Sequence, residues 1–263
     1  MLNINVQGIK SKDKQAEFKL ICKTENPDIV FGTESHLDHN YIDNEVFPDE
    51  YNVIRRDRNR HGGGVFLAYK VDLMVTELPN LVRNSTSESI FGKLETLNSP
   101  PLYLGVFYRP PNCNDEALLH LEKQLDLLTC KNKLPHLIIG GDFNVPSIDW
   151  ESNSIRRTPQ YGLTVNEKIL EILEKHSLQQ MVDQPTHGKN TLDLFLTTSP
   201  DLFSNCNTLP GMCNHEAVTA EYEIKANICE KKPREIYFFK RANTEQIINK
   251  LGRDEKVHGQ TGV

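Results

Sequence analysis

The chain has 263 residues, 38% of them hydrophobic and 25% charged, which fits a globular protein with a sizeable core. Its net charge of −6 speaks against a protein that coats nucleic acid through bulk electrostatics, yet leaves room for a nuclease whose carboxylates hold a metal. There is no apolar run long enough to span a membrane, no secretory signal at Met1-Leu-Asn-Ile-Asn and no C-x-x-C pair among Cys22, Cys113, Cys130, Cys206, Cys213 and Cys229; the expectation is a protein that is not secreted, nuclear or cytoplasmic, in a reducing compartment, without a zinc site or disulfide framework.

Ile4-Asn5-Val6 reads as a short first strand, and Ser11 to about Lys23 as a helix with Ala16 and Leu20 in helical steps. Ile29-Val30-Phe31 is a buried strand that ends at Glu34. Gly62-Gly63-Gly64 lacks the Lys-Ser/Thr of a phosphate loop and opens no helix, so it predicts a turn or bulge before the strand Val65–Tyr69. Ile90–Leu94 and Leu102–Phe107 are two further strands, the second ending at Tyr108-Arg109. Leu118, Leu121, Leu125 and Leu128 mark a helix over 115–130. Leu137-Ile138-Ile139 is a strand buried on both faces that runs into Gly140-Gly141, where a sharp turn is expected. Thr164-Val-Asn-Glu167 reads as a capping box that opens a helix. Leu192–Thr197 is a strand interrupted by Asp193, and Val218–Ile224 alternates as a half-exposed closing strand. The basic runs at Arg55, Arg56, Arg58, Arg60 and His61, and at Lys231, Lys232, Arg234, Lys240 and Arg241, read as solvated surface. The boundary falls near residue 226: 1–226 form the domain and 227–263 a polar, basic tail. Alternating strands and helices with hairpin-like pairs predict an α/β protein with two packed sheets and helices outside, a doubly wound parallel sheet being the competitor.

The chemistry lies at strand ends. Asn5, Glu34, Tyr108, Asp142 and Asn144 each stand where a strand stops, Asp193 interrupts one and His215 precedes another. Taken singly, most such residues are turns or caps, as Asp-x-Asn usually is. Several strands each delivering one polar group is a different matter. Such a set suits phosphate-ester hydrolysis. Glu34 can hold Mg²⁺, Asp142 can take a proton from water or orient it, Asn144 and Tyr108 can donate to phosphoryl oxygens, and His215 can contact the phosphate when paired with Asp193.

Asn5-Val-Gln-Gly-Ile, Thr33-Glu34-Ser-His-Leu, Tyr108-Arg-Pro-Pro, Gly141-Asp142-Phe-Asn144, Thr191-Leu-Asp193 and Asn214-His215-Glu-Ala-Val resemble the ordered motifs of the endonuclease/exonuclease/phosphatase superfamily. Within it the chain is most similar to the apurinic-like endonuclease domain of jockey and chicken-repeat non-LTR retrotransposons. The resemblance implies a four-layer α/β sandwich, two packed mixed β-sheets flanked by helices. It also implies divalent-metal-dependent nicking of DNA that leaves a 3′-hydroxyl to prime reverse transcription, with Mg²⁺ as the cofactor and Mn²⁺ able to stand in. By the same resemblance Asn5, Glu34, Tyr108, Asp142, Asn144, Asp193 and His215 are catalytic. Glu34, Asn5 and Asn214 would hold the metal, and Arg109 and Thr186 would lie by the DNA. Arg241-Ala242-Asn243 resembles a linker toward a reverse transcriptase domain that would be a partner outside this chain. One departure stands out: Cys213-Asn214-His215 replaces the family's Ser-Asp-His, so Asn214 keeps the shape and loses the charge. The alternatives are an impaired retrotransposon relic, a DNA-binding module, or another phosphoesterase of the superfamily.

Overall fold

A computed structural model describes residues 1–59, 61–82, 87–129, 135–157 and 160–228. The first elements are β1 (Leu2–Asn5), α1 (Lys12–Glu25), β2 (Ile29–Thr33), α2 (Asp43–Val46), β3 (Tyr51–Arg56) and β4 (Val65–Lys70). There follow β5 (Val75–Glu77), α3 (Pro79–Val82), β6 (Glu88–Leu94), β7 (Leu102–Tyr108), α4 (Glu116–Thr129) and β8 (His136–Asp142). The last are β9 (Ile148–Asp149), β10 (Ser154–Ile155), α5 (Gly162–Lys175), β11 (Gln179–Gln180), β12 (Asp193–Thr197), a 3₁₀ turn at Pro200–Leu202, β13 (Phe203–Leu209) and β14 (Ala217–Tyr222).

The strands form two six-stranded sheets, ordered β13-β14-β1-β2-β4-β3 and β11-β12-β8-β7-β6-β5, beside a small β9–β10 hairpin. Each sheet is mixed: β1 and β2 run parallel, as do β7 and β8, and their other pairings are antiparallel. That excludes the doubly wound parallel sheet. The side-chain period of two sorts residues between layers. Leu2, Ile4 and Val6 pack outward with Phe18 and Cys22 of α1. Phe31, Leu67, Leu104, Ile138 and Phe195 fill the space between the sheets, with Phe31 and Phe195 edge to face at 5.4 Å. Leu118, Leu121 and Leu125 of α4 and Ile169 and Ile172 of α5 cover the other side with Ile139 and Leu196. The result is the expected four-layer sandwich.

Four local expectations need correction. β8 does not turn at Gly140-Gly141 but runs through both to Asp142. A Cβ at Gly140 would lie 2.7 Å from Phe31 Cγ, so this glycine makes room for a ring of the facing sheet. The capping box does not form: α5 begins at Gly162, after Tyr161 at φ 66, with no side-chain cap. Asn166 donates instead to the carbonyls of Gln160 and Gly162, at 3.1 and 2.7 Å. Arg55 is not a solvated surface residue: it donates to the Tyr41 carbonyl at 2.6 Å and pairs with Asp43 at 3.2 Å. Arg58 pairs with Glu88 at 2.8 Å. Finally, β3, β5, β9, β10, β11 and β13 are strands beyond those expected. Arg60, Cys130 and everything from Cys229 onward, including the second basic run and Arg241-Ala242-Asn243, lie outside the described residues.

His176 follows α5 and is 3% exposed. Burial, partly opposed by Asp126 at 3.5 Å, holds its imidazole below the ordinary histidine range. The unfolded chain therefore binds the extra proton first, and stability is full above about pH 6.5 and falls below it. Thermal melts between pH 7 and 5 are expected to show a shallower loss in His176→Gln than in the parent; equal slopes would contradict this.

Candidate active site

One register row builds most of the site. Glu88 pairs with Tyr108, Tyr108 with Asp142, and Asp142 with Asp193, across β6, β7, β8 and β12. Cross-strand partners share a face, so Tyr108, Asp142 and Asp193 stand side by side at one end of the second sheet, while Glu88 at the end of the row turns its carboxylate to Arg58 and Gly64, off the pocket. The first sheet brings Asn5, whose strand partner is Thr33, and Glu34, the residue after it. Asn5 joins the two sheets: its Nδ2 donates to Glu34 Oε1 at 3.0 Å and to Asp142 Oδ2 at 3.1 Å, while its Oδ1 accepts from Gln7 N–H at 3.0 Å. Asn3, two residues earlier on the same face, donates to the Leu194 carbonyl at 3.1 Å.

Past Asp142 the chain leaves the strand. Asn144 sits at φ 49, its N–H donates to Asp142 Oδ1 and its Nδ2 to Asp142 Oδ2, both at 3.0 Å. The Asx turn and the clustering of the two side chains are thus one arrangement. Asp193 Oδ2 lies 2.7 Å from His215 Nδ1. Glu34, Tyr108, Asn144, Asn214 and His215 line a pocket of about 380 Å³, and Asp142 and Asp193 lie fully buried beside them.

Arg109, Thr186 and Asn214 make contacts that the sequence reading did not include. Arg109 is fully buried and does not itself line the pocket. Its Nη1 donates to the Asn144 carbonyl at 2.9 Å, its Nη2 to that of Cys113, and its guanidinium lies 5.0 Å from the Tyr161 ring centre. It therefore holds the loop that carries Asn144. Thr186 is also fully buried, and its Oγ1 accepts from the N–H groups of Leu192 and Asp193, both at 3.0 Å, fixing the start of β12. Asn214 is exposed and donates to His187 Nε2 at 2.9 Å, outside the Asn5–Glu34–Asp142 network. His187, in turn, lies against His215 with ring centres 4.7 Å apart.

Burial, followed by the nearby Asp193 charge, pushes the Asp142 carboxyl well above the usual carboxylate range, against the pull of His215. Burial works against a charge on His215, but the hydrogen bond and charge of Asp193, with Asp142 and Glu34 beyond, raise it to about 9. Burial and the charges of Glu34 and Asp142 push the Tyr108 hydroxyl up, which keeps it a neutral donor to Glu34. Asp193 Oδ1 is buried without a hydrogen-bond partner among the described residues. Donor atoms of Asp142, Asp193 and His215 lie within 4.8 Å of one another, with Glu34 joined to them through Asn5. Converging carboxylate oxygens and an orphaned buried one fit a hard divalent cation. Asn5 and Asn214 turn amide donors, not oxygens, toward their partners, so the carboxylates are the better-placed ligands.

Asn3, Glu88 and His187 were not expected. Asn3 has a signal, since it shares the period-two face of Asn5 in an otherwise apolar strand. Glu88 has the signal of Asp193, a carboxylate that starts an apolar strand. Thr186→Val keeps the volume and leaves two backbone N–H groups at Leu192 and Asp193 without their acceptor; a loss of about 1–3 kcal/mol is expected in urea unfolding, and an unchanged midpoint would contradict this role.

Residues 102–219 match a protein family described as endonuclease-reverse transcriptase. No curated protein matches the chain significantly. Among solved structures, the endonuclease domain of TRAS1, a telomere-specific non-LTR retrotransposon, is similar with a TM-score of 0.64 and 18% identity, covering 84% of this chain and 96% of that one. The 3′ phosphatase NExo from Neisseria, bound to product DNA hairpin, gives 0.62 at 13% identity over 84% and 98%. An AP endonuclease from Archaeoglobus fulgidus gives 0.61 at 13% identity over 84% and 98%. The chain has the four-layer sandwich fold of these structures, and its residues 102–219 match the endonuclease-reverse transcriptase family.

Proposed function

We propose that the chain is a divalent-metal-dependent phosphodiesterase that nicks DNA and leaves a 3′-hydroxyl, as target-site nicking for retrotransposition requires. The observation that carries this reading is the convergence of Asn5, Glu34, Tyr108, Asp142, Asn144, Asp193 and His215 from both sheets on one pocket. The family match over residues 102–219 and the likeness to DNA-processing enzymes support it.

Glu34, with Asp142 beside it, would hold Mg²⁺, or Mn²⁺ in its place, and the bound ion would supply charge neutralisation at the phosphate. Asp142, whose proton affinity is raised by burial, accepts a proton from the attacking water or orients it. Asn5 and Asn144 hold that carboxylate from two sides, so its lone pairs have fixed directions. His215 is charged at neutral pH because Asp193 outweighs its burial, and it offers a cationic donor to a non-bridging oxygen as negative charge develops there. Tyr108 stays protonated, and its hydroxyl bonds Glu34 in the pocket wall. Arg109 and Thr186 act at one remove, by fixing the backbone of Asn144 and Asp193.

Asn214 does not weigh against activity in this scheme, because its amide bonds His187 and takes no part in the carboxylate network. A reverse transcriptase is the partner that would extend the nick.

Purified chain with Mg²⁺ is expected to convert supercoiled plasmid to the nicked form, and EDTA to abolish the conversion. Asp142→Ala is expected to lower the rate by about 10²–10⁴-fold, the range for removal of a positioned base. Nicking retained by a folded Asp142→Ala would refute the assignment. A folded parent without nicking would favour the impaired relic.

A further inference from the structure

Glu34 stands in a backbone conformation that L residues rarely adopt, φ 56, and His36 two residues on is at φ 53. Such a turn persists only where its surroundings over-determine it. On one side Gly8 N–H donates to the Glu34 carbonyl at 2.8 Å and Ile9 N–H to the Ser35 carbonyl at 3.1 Å. On the other, Ser35 N–H donates to the Gly64 carbonyl at 3.1 Å and His36 N–H to the Gly63 carbonyl at 2.9 Å. The glycine turn is thus the template for the metal-side loop.

That turn is itself held by one carboxylate. Gly64 N–H donates to Glu88 Oε2, and Arg58 Nη1 donates to Glu88 Oε1 at 2.8 Å while Arg58 Nε donates to the Gly62 carbonyl at 3.0 Å. Gly63 and Gly64 lie at φ 66 and φ 88. A Cβ at Gly63 would sit 2.6 Å from Arg58 Cζ and against the Glu88 carboxylate, and one at Gly64 against Ser35 Oγ, so the close fit requires glycine. Glu88 is nearly buried and does not line the pocket. It is also the register partner of Tyr108, whose hydroxyl bonds Glu34. From Glu88, two short paths therefore lead to Glu34, one through the glycine turn and one through Tyr108.

We propose that Glu88, locked by Arg58, is a positioning residue that holds the Glu34 carboxylate where a divalent cation is bound, and so sets metal affinity rather than the chemical step. The proposal rests on the nuclease reading above. Removing the clamp frees the glycine turn, the loop at Ser35 and His36 loses its template, and the Glu34 carboxylate is no longer held against Asn5.

The test is Mn²⁺ binding to the full chain, followed by loss of the free-ion electron paramagnetic resonance signal, alongside the Mg²⁺ dependence of plasmid nicking. Glu88→Ala is expected to weaken Mn²⁺ binding and raise the Mg²⁺ needed for half-maximal nicking by about 10-fold or more, the low end for outer-shell ligand supports, while the rate at saturating Mg²⁺ is largely kept. Glu88→Gln, whose amide oxygen can still accept from Gly64, is expected to recover most of the affinity. Arg58→Ala alters a partly exposed partner, should weaken binding less than Glu88→Ala, and decides the question if Glu88→Ala does not fold. A folded Glu88→Ala, or failing that Arg58→Ala, with parental Mn²⁺ and Mg²⁺ dependence overturns the clamp even when the parent nicks and Asp142→Ala is dead. A parent that neither binds Mn²⁺ nor nicks overturns the nuclease reading and the clamp together.

Discussion

The arrangement depends on two aspartates that the fold forces together. Asp142 and Asp193 are direct partners on neighbouring antiparallel strands, both fully buried, and Glu34 joins them through Asn5. Like charges so close in a low-dielectric interior repel strongly, and isolated buried carboxylates are costly. Three neighbouring groups answer that cost. Asn5 bridges two carboxylates, Asn144 gives two donors to Asp142, and His215 is held charged against Asp193. Burial and the Asp193 charge raise the proton affinity of Asp142, and Asp193 Oδ1 has no hydrogen-bond partner among the described residues. A folding requirement and a capacity for acid–base and cation chemistry are therefore the same feature.

The sandwich supplies the precision. The site draws its groups from both sheets, and their relative placement is set by packing such as Phe31 lying over Gly140 and by Asn3 bonding the backbone of the opposite sheet. Parallel pairing aligns the ends of β7 and β8, whereas antiparallel pairing aligns the starts of β6 and β12 with them. Polar residues at both kinds of end thus reach one line.

That geometry explains what could be read from the sequence. Apolar runs broken by Glu34, Tyr108, Asp142 and Asp193 were legible because a polar residue in a buried strand has no packing reason. Which ends meet was not legible, since register depends on pairing, and Glu88 at a strand start escaped notice. β3 and β13 were hidden by composition: Tyr51–Arg56 ends in two arginines, and Phe203–Leu209 is a polar edge strand with a bulge. The resemblance placed Arg109 and Thr186 by the DNA, and nothing in the sequence marks them as buried supports. Their acceptors and donors are main-chain groups from other segments, such as the Asn144 carbonyl 35 residues from Arg109, and no side-chain pattern announces those. The Thr164–Glu167 capping box misled because Tyr161 and Gly162, both at positive φ, start the helix earlier.

The central claim is that this cluster hydrolyses a phosphodiester on the side that leaves a free 3′-hydroxyl. The most direct measurement is the chemistry of the nick: plasmid opened by the chain is treated with DNA ligase, with no prior end repair. The account predicts closure back to covalent circles, which needs a 3′-hydroxyl facing a 5′-phosphate. Nicks that ligase closes only after a 3′-phosphatase has acted would contradict it.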